Sequence, residues 1–509
     1  MGVGVFDLAV VGGGINGAGI ARDAAGRGLR VLLCEQDDLA AHTSSASTKL
    51  IHGGLRYLEH GEFALVRKAL AERERLLGAA PHIMRPLRFV MPLVPGMRPA
   101  WMIRAGLFLY DHLAPRARLP GCAAIDLRRH VAGAALRPEY RRAFAFSDVW
   151  TDDARLVVLN VVDAAERGAT VLTRTRCAAA RRERDWWRLE LHGRDGTVRV
   201  EHARALANAT GPWAVRFLRE ELAAANPPAL RLVKGSHIVV PRLFRHECAY
   251  LLQNPDRRVV FAIPFEQDFT LIGTTEQEFD GDPARAVIDS GEIAYLCSTV
   301  SRFFRAPVRP ADVVWHYTGV RPLLGEPGSA AEVTRDYRLA WDDAGPPLLS
   351  VLGGKLTTYR KLAEEAVDHL MPRLARRAAA WTAGAPLPGG EIPGQDLAAW
   401  RESLARSRPW LRADLRDRWA CAYGSRVERL LEGALGAVDL GAELAPGLCE
   451  RELAYLAEVE FARSAADVLW RRTKLGLRLP PSAGEAVDDW LRRNYPSHSS
   501  DGFTERDGN

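Results

Sequence analysis

The chain lacks paired cysteines, long apolar runs and dense basic blocks. Its seven cysteines (Cys34, Cys122, Cys177, Cys248, Cys297, Cys421 and Cys449) are scattered, odd in number and never spaced CxxC. That pattern argues against a disulfide framework or a zinc site, so no metal is expected, and it suits reduced, mostly buried thiols in a cytoplasmic setting. No apolar stretch reaches the roughly 18 residues that a membrane span needs. The nearest, AWMIRAGLFLY at Ala100–Tyr110, is short and carries Arg104, so any membrane contact is expected to lie on the bilayer rather than cross it. The opening MGVGVFDLAVVGGG has no basic region before its apolar residues and is not read as a signal peptide. The formal charge is only +6. With no clustered basic motif, nucleic acid is not an expected partner, while a modest basic excess suits an anionic ligand or an anionic membrane surface.

What is present is ordinary globular composition: 509 residues, 47% hydrophobic and 26% charged, enough for two or three domains with real cores. Phe6 to Val11 reads as a strand, a glycine turn follows, and Asn16 to Gly28 reads as a helix ended by Gly26 and Gly28. Leu29 to Cys34 is a second strand, ending at Glu35. Strand, helix, strand in about 30 residues is the unit that builds parallel sheet.

Residues 42–60, HTSSASTKLIHGGLRYLEH, are too polar and glycine-rich for a regular helix. Glu62 to Leu77 has helical spacing. Residues 81–150, with several prolines and many aromatics, predict a different, mixed domain. Asp152 and Asp153 cap a helix that ends at Gly168, and strands are expected at Thr170 to Arg174 and Ala203 to Ala209. Residues 237–240, 258–263 and 269–273 are β-branched and aromatic runs between turns, which predicts antiparallel sheet. After about residue 385 the chain turns Leu-, Ala- and Arg-rich with helical spacing.

The expected fold class is therefore α/β (α+β overall): a Rossmann-type nucleotide domain of the glutathione-reductase kind, an interrupting antiparallel-sheet domain, and a helical C-terminal domain. The expected division places a first region at 1–385, with nucleotide-domain segments at about 5–75, 151–230 and 325–385 and segments of the interrupting sheet domain at about 76–150 and 231–324. A helical domain follows at 386–495 and a disordered tail at 496–509.

Gly12, Gly14 and Gly17 fit G-x-G-x-x-G. The first permits the tight turn, the second lets a pyrophosphate approach the backbone, and the third lets helix and strand pack closely. Ile15 and Asn16 open the helix, whose free N–H groups and positive dipole face phosphate. Glu35, followed by Gln36, is placed to accept hydrogen bonds from a ribose diol, which argues against a 2′-phosphate. Three features favour FAD over NAD. The strand ending in Thr210-Gly211 resembles the late strand that approaches a flavin dinucleotide. The turn Gly353-Gly354-Lys355-Leu356-Thr357-Thr358 offers N–H groups to negative charge at flavin N1/O2. No second fingerprint exists for a nicotinamide. The loop carrying Thr43, Ser44, Ser45, Ser47 and Thr48, and then Leu50, His52 and Gly53, is either a solvated loop or a contact for phosphate or flavin.

At this point the chain resembles the bacterial FAD-dependent, quinone-linked glycerol-3-phosphate dehydrogenases of the D-amino-acid-oxidase-like flavoprotein group. The resemblance rests on VVGGGINGAG (Val10–Gly19), TSSASTKLIHGGLRYLE (Thr43–Glu59), NATGPW (Asn208–Trp213), KGSHIVVP (Lys234–Pro241), IGTT (Ile272–Thr275), GVRPL (Gly319–Leu323), GGKLTTYRKL (Gly353–Leu362) and WRRTK (Trp470–Lys474). It covers residues 6 to about 490. It implies oxidation of glycerol 3-phosphate to dihydroxyacetone phosphate through FAD, with membrane quinone as acceptor. It further implies a homodimer lying peripherally on the cytoplasmic face of the inner membrane.

Such a reaction needs cations for a phosphate dianion, a proton acceptor, and donors for developing negative charge. Arg56, Arg321 and Lys355 are the candidate cations, since arginine binds two phosphate oxygens at once. His52 and His237 are candidate proton acceptors, and the residues leave the choice open. Tyr57 and Thr358 are candidate donors to the substrate. The cations of WRRTK could face lipid phosphate, a partner subunit, the active site or solvent. The rival function is an FAD-dependent oxidase of another small substrate, such as an amino acid, using oxygen. An NAD-binding regulator or redox sensor without turnover is a further class, which a yellow protein would exclude.

Overall fold

Phe6–Val11 and Val31–Cys34 are apolar along almost their whole length, the composition of strands covered on both faces. In the computed structural model, which describes residues 4–94, 98–224, 227–256, 258–325 and 336–496, they pair in parallel, Val10 opposite Leu33. Val198–Asn208 lies on the other side of Phe6–Val11, also parallel, and Leu348–Leu352 beyond it. Thr170–Leu172 closes one edge and antiparallel Arg338–Asp342 the other. The strand expected to run to Arg174 stops earlier, and Arg174 adopts a φ of +54°. Helices Ile15–Gly26, Asp153–Glu166 and Tyr359–Arg373 share one buried core with this sheet. An antiparallel hairpin, Thr175–Glu183 and Trp186–Gly193, extends from Val198–Asn208.

The second sheet has ten strands. The expected antiparallel runs are there: Leu230–Pro241 pairs with Phe269–Gly273, and that strand with Val259–Phe265. Trp315–Leu324 pairs along the other side of Leu230–Pro241 and sets Arg321 opposite Val233. The proline- and aromatic-rich region contributes to the same sheet through Met84–Pro92 and Arg142–Thr151, with Phe89 opposite Phe146. Between them runs helix Ala100–His112. Among the described residues, no helix is long and apolar enough to cross a membrane.

Beyond residue 396 the chain is mostly helical, with helices such as Leu397–Ser407, Ala413–Tyr423, Glu450–Glu458 and Ser482–Asn494 around a core that includes Trp419, Leu453 and Val487. The WRRTK cations turn inward, unlike the solvated face or lipid contact weighed from sequence. Arg471 and Arg472 pair with Asp38, and Lys474 with Asp152. Trp470 stacks on Trp315 of the second sheet, ring centroids 4.7 Å apart. The disordered tail was expected from 496; from 497 on it lies outside the described residues.

Candidate functional site

The first glycine turn is a steric requirement. Gly12 has a φ of +110°, and a Cβ there would lie 2.6 Å from the Ala209 carbonyl oxygen. A Cβ on Gly17 would come within 1.9 Å of the Gly12 carbonyl oxygen, closer than atoms tolerate. Bare backbone at these positions lets the helix start directly beneath the strand end. Ile15, the first helical residue, donates its N–H to Ser44 Oγ at 3.0 Å, so the hydroxyl loop folds over the helix N-terminus. Glu35 accepts from the N–H groups of Gly13 at 2.6 Å and Asp37 at 2.8 Å, which fixes its carboxylate at the end of the second strand. Burial raises the Glu35 pKa, and those two N–H groups pull against the rise. Each carboxylate oxygen keeps a second lone pair for a ribose hydroxyl.

A second bare turn faces the first. Gly353 and Gly354 have φ of +77° and +104°. The Asn16 side chain donates to the Gly353 carbonyl at 3.2 Å and so ties the two turns together. Its buried Oδ1 has no hydrogen-bond partner among the described residues, an acceptor that a bound group would satisfy. The two turns and the hydroxyl loop enclose a cavity of about 580 Å³. A cavity lined by glycine backbone, a helix N-terminus and the Glu35 carboxylate fits a flavin dinucleotide.

Most of the expected residues line it. They are Gly12, Gly14, Ile15 and Asn16 from the first turn, Glu35 and Gln36 after the second strand, and Thr43, Ser44, Ser47, Leu50 and His52 from the loop. Arg56, Tyr57, Thr210, Gly211 and Arg321 also line it, as do Gly354, Lys355, Leu356 and Thr357. Five do not. Gly17 packs behind the turn, as its proposed role requires. Ser45 donates to the His42 carbonyl at 3.2 Å. Gly53 donates its N–H to the Tyr110 hydroxyl at 2.8 Å. Thr358 is buried in the turn that starts its helix. His237 is wholly enclosed, its Nε2 2.9 Å from Thr48 Oγ1 and its ring stacked on Tyr317. Burial, with Arg321 and Lys49 adding like charge, pushes its pKa well down and keeps it neutral.

Arg56, Arg321 and Lys355 all line the cavity. Arg321 Nη2 donates to Thr274 Oγ1 at 3.2 Å, and its Nη1 lies 3.5 Å from Glu276 Oε1. Arg56 Nη1 lies 3.9 Å from the other oxygen of the same carboxylate. Lys355 Nζ sits 3.8 Å above the Tyr57 ring centroid, a cation–π contact that holds the ammonium at the cavity wall. His52 is fixed at its backbone, which donates to Thr357 Oγ1 at 3.2 Å. Burial lowers its imidazole pKa; Asp148 opposes this, and Lys355, Arg73 and Arg321 reinforce it. A neutral imidazole beside three cations can accept a proton while the cations hold an oxyanion.

Sequence reasoning missed Glu276, which lies just past the end of the IGTT motif, and Asp153, read only as a helix cap. Asp153 accepts from Ser47 Oγ and from Lys49 Nζ, both at 2.7 Å, and so shapes the hydroxyl loop.

Residues 7–360 match the family described as FAD dependent oxidoreductase, and residues 380–492 the family described as the C-terminal domain of alpha-glycerophosphate oxidase. A glycerol-3-phosphate dehydrogenase of Pseudomonas aeruginosa is 55% identical over 97% of this chain and 96% of its own length. An aerobic glycerol-3-phosphate dehydrogenase of Escherichia coli is 50% identical over 95% and 97%. Among solved structures, a glycerol-3-phosphate dehydrogenase of Bacillus halodurans complexed with FAD superposes with a TM-score of 0.76 at 29% identity, covering 96% of this chain and 90% of that one.

Proposed function

Since the chain belongs to the FAD-dependent oxidoreductase family, we propose that it oxidises sn-glycerol 3-phosphate to dihydroxyacetone phosphate, with a quinone as final acceptor. The observation that carries this reading is the meeting of Arg56 and Arg321 over Glu276, in the same cavity wall as Lys355 and the glycine turns. Three cations in the wall of a dinucleotide cleft suit a phosphorylated alcohol. An amino acid brings its own ammonium group and would not call for them.

Arg321 and Arg56 bind the phosphate through paired N–H donors and orient the secondary alcohol. Lys355 lowers the pKa of that hydroxyl and steadies its developing charge. The imidazole of His52 takes the hydroxyl proton; His237, engaged by Thr48 behind the wall, keeps its neighbours in place. FAD held in this cavity would supply a two-electron acceptor for the hydride released at C2. Gly12, Gly14, Glu35, Ser44 and the Gly354–Thr357 turn are the residues proposed to hold it.

Lipid contact is supported by helix Ala100–His112, which leaves Trp101 71% and Phe108 60% exposed, with Met102 and Leu109 alongside and exposed Arg104 on the same helix. Such a face suits the surface of an anionic bilayer, where a quinone dissolves. A homodimer on the cytoplasmic face of the inner membrane is proposed with it. The deciding experiment mixes the purified protein anaerobically with glycerol 3-phosphate and follows flavin absorbance at about 450 nm. Rapid bleaching is expected. No bleaching with glycerol 3-phosphate, but bleaching with members of an amino-acid panel, would replace this reading.

A further inference from the structure

The cofactor loop from Glu35 to Thr48 has little structure of its own, a single turn of 3-10 helix at Thr43–Ser45, yet ten of its residues, Ser44 among them, line the cavity. Its shape is imposed from outside at both ends. At one end Asp38, buried, accepts a forked pair of hydrogen bonds from Arg472, Nη1 at 2.6 Å and Nη2 at 2.8 Å, and a third from Arg471 Nε at 2.5 Å. Arg472 lies 434 positions away in sequence and is fully enclosed; its Nη2 also donates to the Glu460 carbonyl at 2.7 Å. Burial alone would raise the Asp38 pKa, and the two guanidinium groups override it and hold the carboxylate ionised.

The other end is held through two adjacent aspartates. Asp153 takes the N–H and hydroxyl of Ser47 at 3.1 and 2.7 Å, and Lys49 Nζ at 2.7 Å. Its neighbour Asp152 caps the same helix by accepting from the Arg155 N–H and receives Lys474 Nζ at 3.1 Å on both oxygens. The start of helix Asp153–Glu166 thus joins the C-terminal domain on one side to the cofactor loop on the other. A buried charge that loses its partner is strongly disfavoured, so each pair fixes geometry as well as adding attraction.

We propose that the C-terminal domain is a positioning device for the cofactor loop, in which Arg472 acts through Asp38, and Lys474 through Asp152 and Asp153, to hold Ser44 and its neighbours in the conformation that binds FAD. Arg472 and Lys474 are positioning residues; neither lines the cavity.

General docking of the domain is a separate effect, and the same interface contains its control. At the far end of helix Asp153–Glu166, Arg426 and Arg429 of the C-terminal domain pair with Glu166, away from the loop and from Asp38, Asp152 and Asp153. The test strips flavin from the purified full chain and titrates FAD back by fluorescence, which needs no substrate and is independent of the proposed activity. Asp38→Asn and Arg472→Gln should each weaken FAD binding by about tenfold or more, and Lys474→Met should weaken it in the same direction. Arg472→Lys should recover part of the loss, because it keeps the charge without the fork. With FAD saturating, the KM for glycerol 3-phosphate should stay within about twofold of the parent value. Arg426→Met should leave FAD affinity within about twofold even though it lowers thermal stability. The proposal is overturned if Arg426→Met costs as much FAD affinity as Asp38→Asn, or if Asp38→Asn binds FAD like the parent. Should Asp38→Asn not fold, Arg472→Lys and Lys474→Met make the same comparison, and parental FAD affinity in both overturns it.

Discussion

Glu276 stands between two arginines that the proposed substrate phosphate also needs. Its carboxylate lies 3.5 and 3.9 Å from them, and all three side chains are partly exposed. Pairs of that kind contribute about 1 kcal/mol or less, whereas a dianion entering the same space meets the full repulsion of the carboxylate. Glu276→Gln is therefore expected to lower the KM for glycerol 3-phosphate by about threefold or more, read in steady-state assays with a dye acceptor. A raised KM would mean that the carboxylate mainly aligns the guanidinium groups. Arg321→Ala and Arg56→Ala each remove a charge-assisted interaction worth about 1.5–3 kcal/mol and should raise KM by about tenfold to a hundredfold, with kcat also falling. Unchanged kinetics in both would move the phosphate elsewhere. His52 gives a pH prediction. Burial depresses its pKa, so the imidazole stays neutral through neutral pH and gains its proton only below the ordinary value of about 6.5. If it takes the substrate proton, kcat/KM falls as pH drops through that depressed value. His52→Ala should lose the acidic limb along with about a hundredfold in kcat.

The elements that carry this site were legible to different degrees. The first strand, helix and second strand could be read from Phe6, the glycine turn and Glu35, because all their signals fall within one short window. The observed helix, Ile15–Gly26, shifts the boundaries only slightly. The turn at Gly353-Gly354 was legible for the same local reason. Met84–Pro92 was not, because its prolines and its distant partner Arg142–Thr151 mask a strand pattern that only pairing reveals. The hairpin Thr175–Glu183 with Trp186–Gly193 was hidden by arginines that a half-exposed sheet tolerates. Within the site, Glu276 and Asp153 lay outside the motifs, and the Asp38–Arg472 pair joins residues that no local reading can connect. At this scale the test is the turn itself. Gly14→Val would push a side chain toward Ser44 Oγ, only 3.0 Å from the position of a Cβ, and toward any pyrophosphate. The variant should fold but purify without bound flavin, read as a lost absorbance ratio. Gly17→Ala, blocked by backbone at 1.9 Å, should instead cost stability itself, seen as a lowered Tm. A yellow Gly14→Val protein would mean that the dinucleotide crosses elsewhere.

Across the whole molecule, no residue of helix Ala100–His112 lines the cation-bearing cavity, so the proposed lipid contact and catalysis should separate by mutation. Trp101→Glu with Phe108→Glu is expected to abolish co-sedimentation with anionic vesicles and quinone-coupled turnover, while dye-linked turnover in solution persists. Loss of both activities together would mean that the helix supports the fold rather than a membrane. The parallel sheet adds a further consequence, one of time. Its central strand Phe6–Val11 and one neighbour, Val31–Cys34, are among the first residues made, but the strand on the other side arrives at Val198–Asn208 and the one beyond that at Leu348–Leu352. The arginine that grips Asp38 comes later still. A ribosome-bound chain therefore carries a finished glycine fingerprint with no closed cleft around it. With Arg472 positioning the loop as proposed, tight capture of FAD follows the synthesis of residue 472, and a chain that stops short of it is expected to purify with little bound flavin, read as a lowered flavin-to-protein absorbance ratio.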